Sequence, residues 1–258
     1  HILNNLRGLL ADGRSAVLAT VISTTRSVPR RTGAKMLVVD DGRRIGSVGG
    51  GEMESRVFEE AVDCLADGSS RLLDYRLIDP DAGDPGICGG EVTIYLEPHM
   101  PPPTILVIGC GHVGRAVVDL ASWLGFHVVA TDDRIDVAEG LAGGLPGGSG
   151  VVVRPGALAD VLADLRLAAD DHAIVVTRNV QVDVENLPHL LATEVGTVGV
   201  MGSQRRWDAA RKSLLDAGVS ETDLERVTSP VGMEIGAETP EEIAVSILAQ
   251  VVDRQRTT

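Results

Sequence analysis

The feature that most constrains this chain is Gly109-Cys110-Gly111-His112-Val113-Gly114, set between an apolar run and a helical pattern. Thr104-Ile105-Leu106-Val107-Ile108 reads as a short buried strand ending on the first glycine. Val113, Val117, Leu120, Ala121 and Leu124 then recur at helical spacing, and His127–Thr131 reads as a second strand closing on Asp132. A G-x-G-x-x-G alone is a weak signal, but strand, glycine turn, helix, strand and acid in this order form a dinucleotide-binding fingerprint. Gly109 permits the tight turn, Gly111 lets a pyrophosphate approach the backbone, and Gly114 lets the helix pack on the strand. The helix N-terminus offers free N–H groups to phosphates. Asp132 is expected to accept hydrogen bonds from ribose hydroxyls, which favours NAD(H), while Arg134 keeps a phosphorylated ribose open. The alternative is the same fold with a site that is vestigial or serves another ligand.

The pattern continues as alternating elements. Strands are expected at 151–153, 172–177 and 197–201, and helices at 157–168, 183–193, 204–217 and 240–253. Such alternation implies a parallel sheet with helices on both faces. Pro101-Pro102-Pro103 can continue neither a helix nor a sheet ladder and reads as a stiff linker. Residues 1–100 are mixed. An opening helix carries Leu3, Leu6 and Leu10, and strands are expected at 16–22, 36–39, 44–48 and 91–97. A helix over 52–66 places Met53, Val57, Ala61 and Cys64 or Leu65 on one face. The expected fold class is therefore α/β, a C-terminal Rossmann-like parallel sheet over 104–258 with a smaller N-terminal α+β domain over 1–100 and a proline linker at 101–103.

Composition excludes some functions. Net charge is −14 and aromatic residues make up 2%, which argues against a nucleic-acid binder. No apolar run reaches the length of a membrane span, and the N-terminus lacks the basic and apolar blocks of a secretory leader. Cys64, Cys88 and Cys110 have no metal-ligand spacing, and an odd count suits the reducing cytoplasm better than a disulfide framework.

Three polar loops stand out in the N-terminal part. Between Ser23 and Val39 there is no acid, but there are Arg26, Arg30, Arg31 and Lys35. Beyond about 8–10 Å the distant acids are screened, so these cations suit a phosphate, or else they form a solvated turn around Pro29. Ser47, Gly49, Gly50 and Gly51 lead into the helix at 52–66, an arrangement that frees backbone N–H groups to form an anion nest, or simply a sharp turn. Glu52 and Glu54 suit the positive end of the helix dipole. Gly86-Ile87-Cys88-Gly89-Gly90 places a thiol in a loop with little side-chain cover. Cys88 has either a sulfur- or ligand-related role or that of a small buried hydrophobe.

These loops, in this order and followed by this Rossmann half, resemble the xanthine dehydrogenase accessory proteins, which include carbon monoxide dehydrogenase maturation factors. The stretches that carry the resemblance are Ser27–Met36, Ile45–Glu54, Gly86–Gly90, Gly109–Arg115, Thr131–Arg134, Met201–Arg206 and Ser229–Ala244. The resemblance implies a cytoplasmic chaperone that binds a molybdopterin-type molybdenum cofactor. Such a protein holds the cofactor while a cysteine desulfurase supplies the terminal sulfido ligand, then delivers it to a molybdenum hydroxylase. A homodimer is expected on the same ground. The candidate cofactor-binding residues are then Arg26, Arg30, Arg31, Lys35, Ser47, Gly49–Gly51, Gly89, Gly90, Gly109, Gly111, Gly114, Asp132, Ser203, Arg205 and Arg206. Ser203, Arg205 and Arg206 start a helix, where they either bind an anion or cap and solvate that helix. Two positions depart from the family pattern. Thr177-Arg178-Asn179 stands where members often carry a histidine, with Arg178 and Asp183 left as contacts, and Glu52 stands where some have a cysteine. The competing functions are an NAD(H)-dependent oxidoreductase and an NAD-responsive regulatory module.

Overall fold

A computed structural model describes residues 1–11, 13–26, 28–76, 90–147 and 150–257. The chain forms two compact units, His1–Pro101 and Pro102–Thr258. The first contains α1 (Ile2–Ala11), β1 (Ala16–Thr25), β2 (Lys35–Val39), β3 (Arg44–Gly46), α2 (Gly51–Asp67), β4 (Arg71–Arg76) and β5 (Glu91–His99). Its strands make one antiparallel sheet in the order β3-β2-β1-β5-β4. Period-two alternation decides which helix covers which face. Val17, Ala19, Val21, Met36, Val38, Ile94 and Leu96 point to α2 and pack on Met53, Val57, Ala61 and Cys64. Ala16, Leu18 and Leu37 point the other way and pack on Leu6 of α1.

The second unit contains β6 (Thr104–Ile108), α3 (His112–Trp123), β7 (His127–Thr131), α4 (Ile135–Gly143), β8 (Val152–Val153) and α5 (Leu158–Asp164). It continues through β9 (His172–Val175), α6 (Val180–Leu191), β10 (Thr197–Val200), α7 (Gln204–Asp216), α8 (Glu221–Glu225), β11 (Val227–Thr228) and α9 (Pro240–Thr257). The sheet is parallel throughout, in the order β11-β10-β9-β6-β7-β8. This is the doubly wound order with its switch point between β6 and β9, where such sheets bind ligands. The central strands are buried on both faces, which is why their sequences are continuously apolar. One core layer holds Leu106, Val175, Leu187 and Leu214 under α5, α6 and α7. The other holds Val107, Val117, Ile174 and Ile247 under α3, α4 and α9.

Several boundaries differ from the expected ones for local reasons. The helix expected over 157–168 stops at Asp164 because Leu165 turns extended, and Leu167 then enters the core. The helix expected from 183 starts at Val180, because the Asn179 side chain caps it by accepting from the Val182 N–H. The strand expected over 44–48 stops at Gly46, since Ser47 and Val48 turn toward Glu54. Strand β4 and helices α4 and α8 were not expected.

His172 is a buried histidine at the start of β9. Its Nδ1 lies 2.7 Å from Thr197 Oγ1, and its Nε2 has no hydrogen-bond partner among the described residues. Phe126 packs edge-on against the ring. Burial pushes the imidazole below its ordinary value, against the nearby charges of Asp171 and Asp170, while Arg254 adds to the lowering. A base depressed in the folded state loses stability as pH falls below its unfolded value of about 6.5. Thermal melts between pH 7.5 and 5.5 are expected to show a falling midpoint in the wild type. The fall should be shallower in His172→Gln, by up to about 1.4 kcal/mol per pH unit. Equal slopes in the two proteins would exclude this residue as the titrating group.

Candidate functional site

In the N-terminal unit, the antiparallel order brings several loops to one end of the sheet. β1 ends there at Thr25, opposite the start of β5 at Glu91, and β4 ends opposite the same residue at Arg76. β2 starts there at Lys35, and β3 ends there at Gly46, opposite Met36. The arginine loop and the glycine turn also pack on each other. Val28 and Val48 join one apolar cluster, and a β-carbon on Gly49 would stand 3.7 Å from that of Pro29. Arg26 closes β1 with φ 58°, a left-handed conformation that costs a non-glycine residue about 1–2 kcal/mol. Arg26, Arg30 and Arg31 are exposed, and among the described residues none has a carboxylate partner. Lys35 is different, because its ammonium donates to Thr20 Oγ1 at 2.8 Å on the α1 face. Gly90 is buried at the start of β5, whereas Cys88 and Gly89 lie outside the described residues.

The glycine turn does converge its donors, and the chain supplies the anion. Glu54 Oε1 accepts from Ser47 Oγ at 2.6 Å and from the backbone N–H groups of Gly50, Val48 and Gly49 at 2.9, 3.1 and 3.3 Å. Gly50 takes φ 83° as the N-cap of α2, which lets the turn fold over the carboxylate. Burial raises the Glu54 carboxyl, but the bonds from Ser47, Gly50, Gly49 and Val48 outweigh it and hold the group below the ordinary carboxylate value. Sequence reasoning assigned Glu54 to the helix dipole. Its seat in the turn is signalled only by a carboxylate four residues past the N-cap. Replacing Glu54 by Ala leaves these donors without their acceptor and is expected to cost about 1–3 kcal/mol in a denaturant melt at pH 7. A depressed carboxyl stabilises above its unfolded pKa, so the wild-type advantage should shrink as pH falls below about 4.3. No difference at pH 7 would mean that the turn holds without Glu54.

In the second unit the fingerprint glycines have distinct roles. Gly109 has φ 109°, and its N–H donates to Thr131 O at 2.8 Å. A β-carbon on Gly114 would lie 1.7 Å from Gly109 O, so this position admits only glycine. A β-carbon on Gly111 would meet nothing within 4 Å. Packing inside the chain does not demand a glycine there, and the open space suits close approach of a phosphate. Gly114→Ala is expected to lose more than about 3 kcal/mol in a denaturant melt, whereas Gly111→Ala should stay within about 0.5 kcal/mol of the wild type. Comparable losses for the two would refute this division of roles.

Asp132 is 3% exposed and accepts from the Cys110 N–H at 2.8 Å. It also accepts from Arg134 N, Nε and Nη2 at 3.0, 2.9 and 2.8 Å. Beside it Arg178 holds Asp133 through two bonds of 2.6 and 2.7 Å, which bring that carboxyl down to about 2. Asp132, Asp133, Arg134, Thr177 and Arg178 line a cavity of about 180 Å³ at the carboxyl ends of β6, β7 and β9. A wider groove of about 820 Å³ runs between α3, α4 and α9, with Arg134 on its wall as well. Burial, with Asp132 nearby, pushes the Cys110 thiol up to about 12, so it is not a thiolate at neutral pH.

Ser203 caps α7 by accepting from the Arg206 N–H. Arg206 folds back onto the fully buried Asp183 at 2.6 Å and onto Thr177 O at 3.2 Å. It ties α7 to the end of β9 and α6, and breaking such a buried pair costs about 3–5 kcal/mol. Arg205 is exposed and without a carboxylate partner among the described residues. No group of three or more His, Cys, Asp and Glu side chains among the described residues is placed to hold a metal ion. No helix there is long and apolar enough to cross a membrane.

Comparison with known proteins follows the same division. The XdhC Rossmann domain model matches residues 105–251, and the XdhC and CoxI family model matches residues 9–76. The chain belongs to the XdhC family. It is 32% identical to the uncharacterized protein YqeB of Escherichia coli over 91% of this chain and 42% of that protein. It is 25% identical to a probable xanthine dehydrogenase subunit of Bacillus subtilis, over 97% of this chain and 96% of the relative. It is also 34% identical to the molybdenum cofactor insertion chaperone PaoD of Escherichia coli, over 34% of this chain and 28% of PaoD. The chain thus spans less than half the length of YqeB and of PaoD.

Proposed function

We propose that this family member is an accessory protein for the molybdenum cofactor. In this reading it acts as a chaperone more than as a catalyst. It holds the phosphorylated pterin while a cysteine desulfurase supplies the terminal sulfido ligand, and passes the cofactor to a xanthine dehydrogenase-type molybdenum hydroxylase. It works in the cytoplasm as a homodimer. The observation that carries the reading is the loop end of the N-terminal sheet, where the exposed Arg26, Arg30 and Arg31 have no carboxylate partner among the described residues and lie beside a turn whose donors converge on the Glu54 carboxylate. The names of PaoD and of the Bacillus subtilis relative support it independently.

The chain's own residues have separable roles. Arg30 and Arg31 bind the phosphate by charge-assisted hydrogen bonds, the strong class. Glu54 keeps the Ser47–Gly50 turn in shape beside them. Cys88, on sequence grounds, is the residue proposed to meet the sulfur chemistry. The cargo supplies the redox-active metal centre of the client enzyme. Native mass spectrometry of the full chain mixed with loaded pterin cofactor is the test. Wild type is expected to retain it, and Arg30→Ala/Arg31→Ala to lose at least tenfold in affinity. Equal retention by both, or none by the wild type, would overturn the proposed seat.

A second reading concerns the Rossmann half and is favoured by the open space at Gly111. There the chain takes a pyrophosphate-bearing nicotinamide nucleotide, with the phosphates at Gly111 and the α3 N-terminus. It works as a nucleotide-responsive module or, if it performs chemistry, as a nicotinamide-dependent oxidoreductase.

A further inference from the structure

We propose that the sugar end of the Rossmann site selects a ribose carrying a 2′-phosphate, with Arg134 as the specificity-determining residue. The inference rests on the second reading above and reverses the preference expected from Asp132 in the sequence. A ribose 2′-hydroxyl needs an acceptor from the acid that follows the second strand, whereas a 2′-phosphate needs donors. An ionised carboxylate offers about four acceptor positions. Asp132 has used them all. Oδ1 takes the Arg134 N and Nε bonds, and Oδ2 takes Cys110 N and Arg134 Nη2. The carboxylate is also almost wholly buried. A hydroxyl arriving there finds no free acceptor on it.

The guanidinium is in the opposite state. Arg134 spends Nε and Nη2 on Asp132, while Nη1 has no hydrogen-bond partner among the described residues. Its side chain is 39% exposed and lines both the small cavity and the groove that reaches Gly111. Two neighbouring carboxylates are engaged in part. Asp133 is held by Arg178, and Glu185 accepts from Gln181. Asp132 and Asp133 are each paired with their own arginine, which leaves Glu185 as the acid in the cavity lining without an arginine partner among the described residues. At the sugar end, beside the saturated Asp132, the open hydrogen-bonding position is the cationic Nη1 of Arg134. A phosphate, which accepts only and carries more than one negative charge, matches it in kind.

The test is a calorimetric titration of the full chain with NADPH and with NADH. Wild type is expected to bind NADPH at least tenfold tighter. Arg134→Ala should lose at least tenfold for NADPH yet bind NADH no more weakly, because Asp132 is released to the ribose. Arg134→Lys should keep part of the preference. Displacement from wild type by adenosine 2′,5′-bisphosphate should exceed that by adenosine 5′-monophosphate, a readout that needs no variant to fold. NADH binding as tightly as NADPH overturns the phosphate selection and leaves the nucleotide reading standing. Binding of neither nucleotide overturns both.

Discussion

The structure depends on backbone N–H groups held open by glycine and closed by a carboxylate from the same chain. Each unit holds an example among its described residues. Glu54 gathers the donors of the Ser47–Gly50 turn, and Asp132 fastens the Gly109–Gly111 loop through the Cys110 N–H. Glycine-rich turns point several donors at one place, and an unfilled cluster of buried donors is costly. The internal carboxylates remove that cost and shape the loops before any ligand arrives. Beside each loop stand cations, the exposed Arg30 and Arg31 in one unit and the part-exposed Arg134 in the other, and the space at Gly111 stays open.

This arrangement explains how a chain of net charge −14 presents exposed, locally unpaired cations among its described residues. The nearest acids are consumed locally. Asp133 is engaged by Arg178, Asp183 by Arg206 and Asp132 by Arg134. More distant acids are screened over about 8–10 Å at physiological salt. The exposed arginines of the β1–β2 loop lie in a stretch without acids, and the structure keeps them unpaired among the described residues.

Much of the fold was legible because it follows from short-range patterns. Met53, Val57, Ala61 and Cys64 mark the buried stripe of α2, and Val92, Ile94 and Leu96 the buried face of β5. The β6–α3–β7 unit follows from its glycines and apolar runs. Strand β4 was not legible, because Arg71-Leu72-Leu73-Asp74-Tyr75-Arg76 becomes a strand by pairing with β5. Helix α4 was hidden by Gly140 and Gly143, which lower helix propensity, and packing of Ala138 and Leu141 on the sheet overrides them. In the candidate sites, the residue types suggested donors for an anion. The sequence did not reveal which groups were already satisfied. Arg206, Lys35 and Asp132 all read as ligand contacts, and each is engaged inside the chain by a partner distant in sequence or by a side chain folded back on itself.

Hydrogen–deuterium exchange of the full chain, with and without the loaded pterin cofactor, tests the central claim most directly. New amide protection is expected over residues 28–36 and 46–54, where the arginine loop meets the glycine turn. Protection confined to residues 104–258, with those two stretches unchanged, would contradict it.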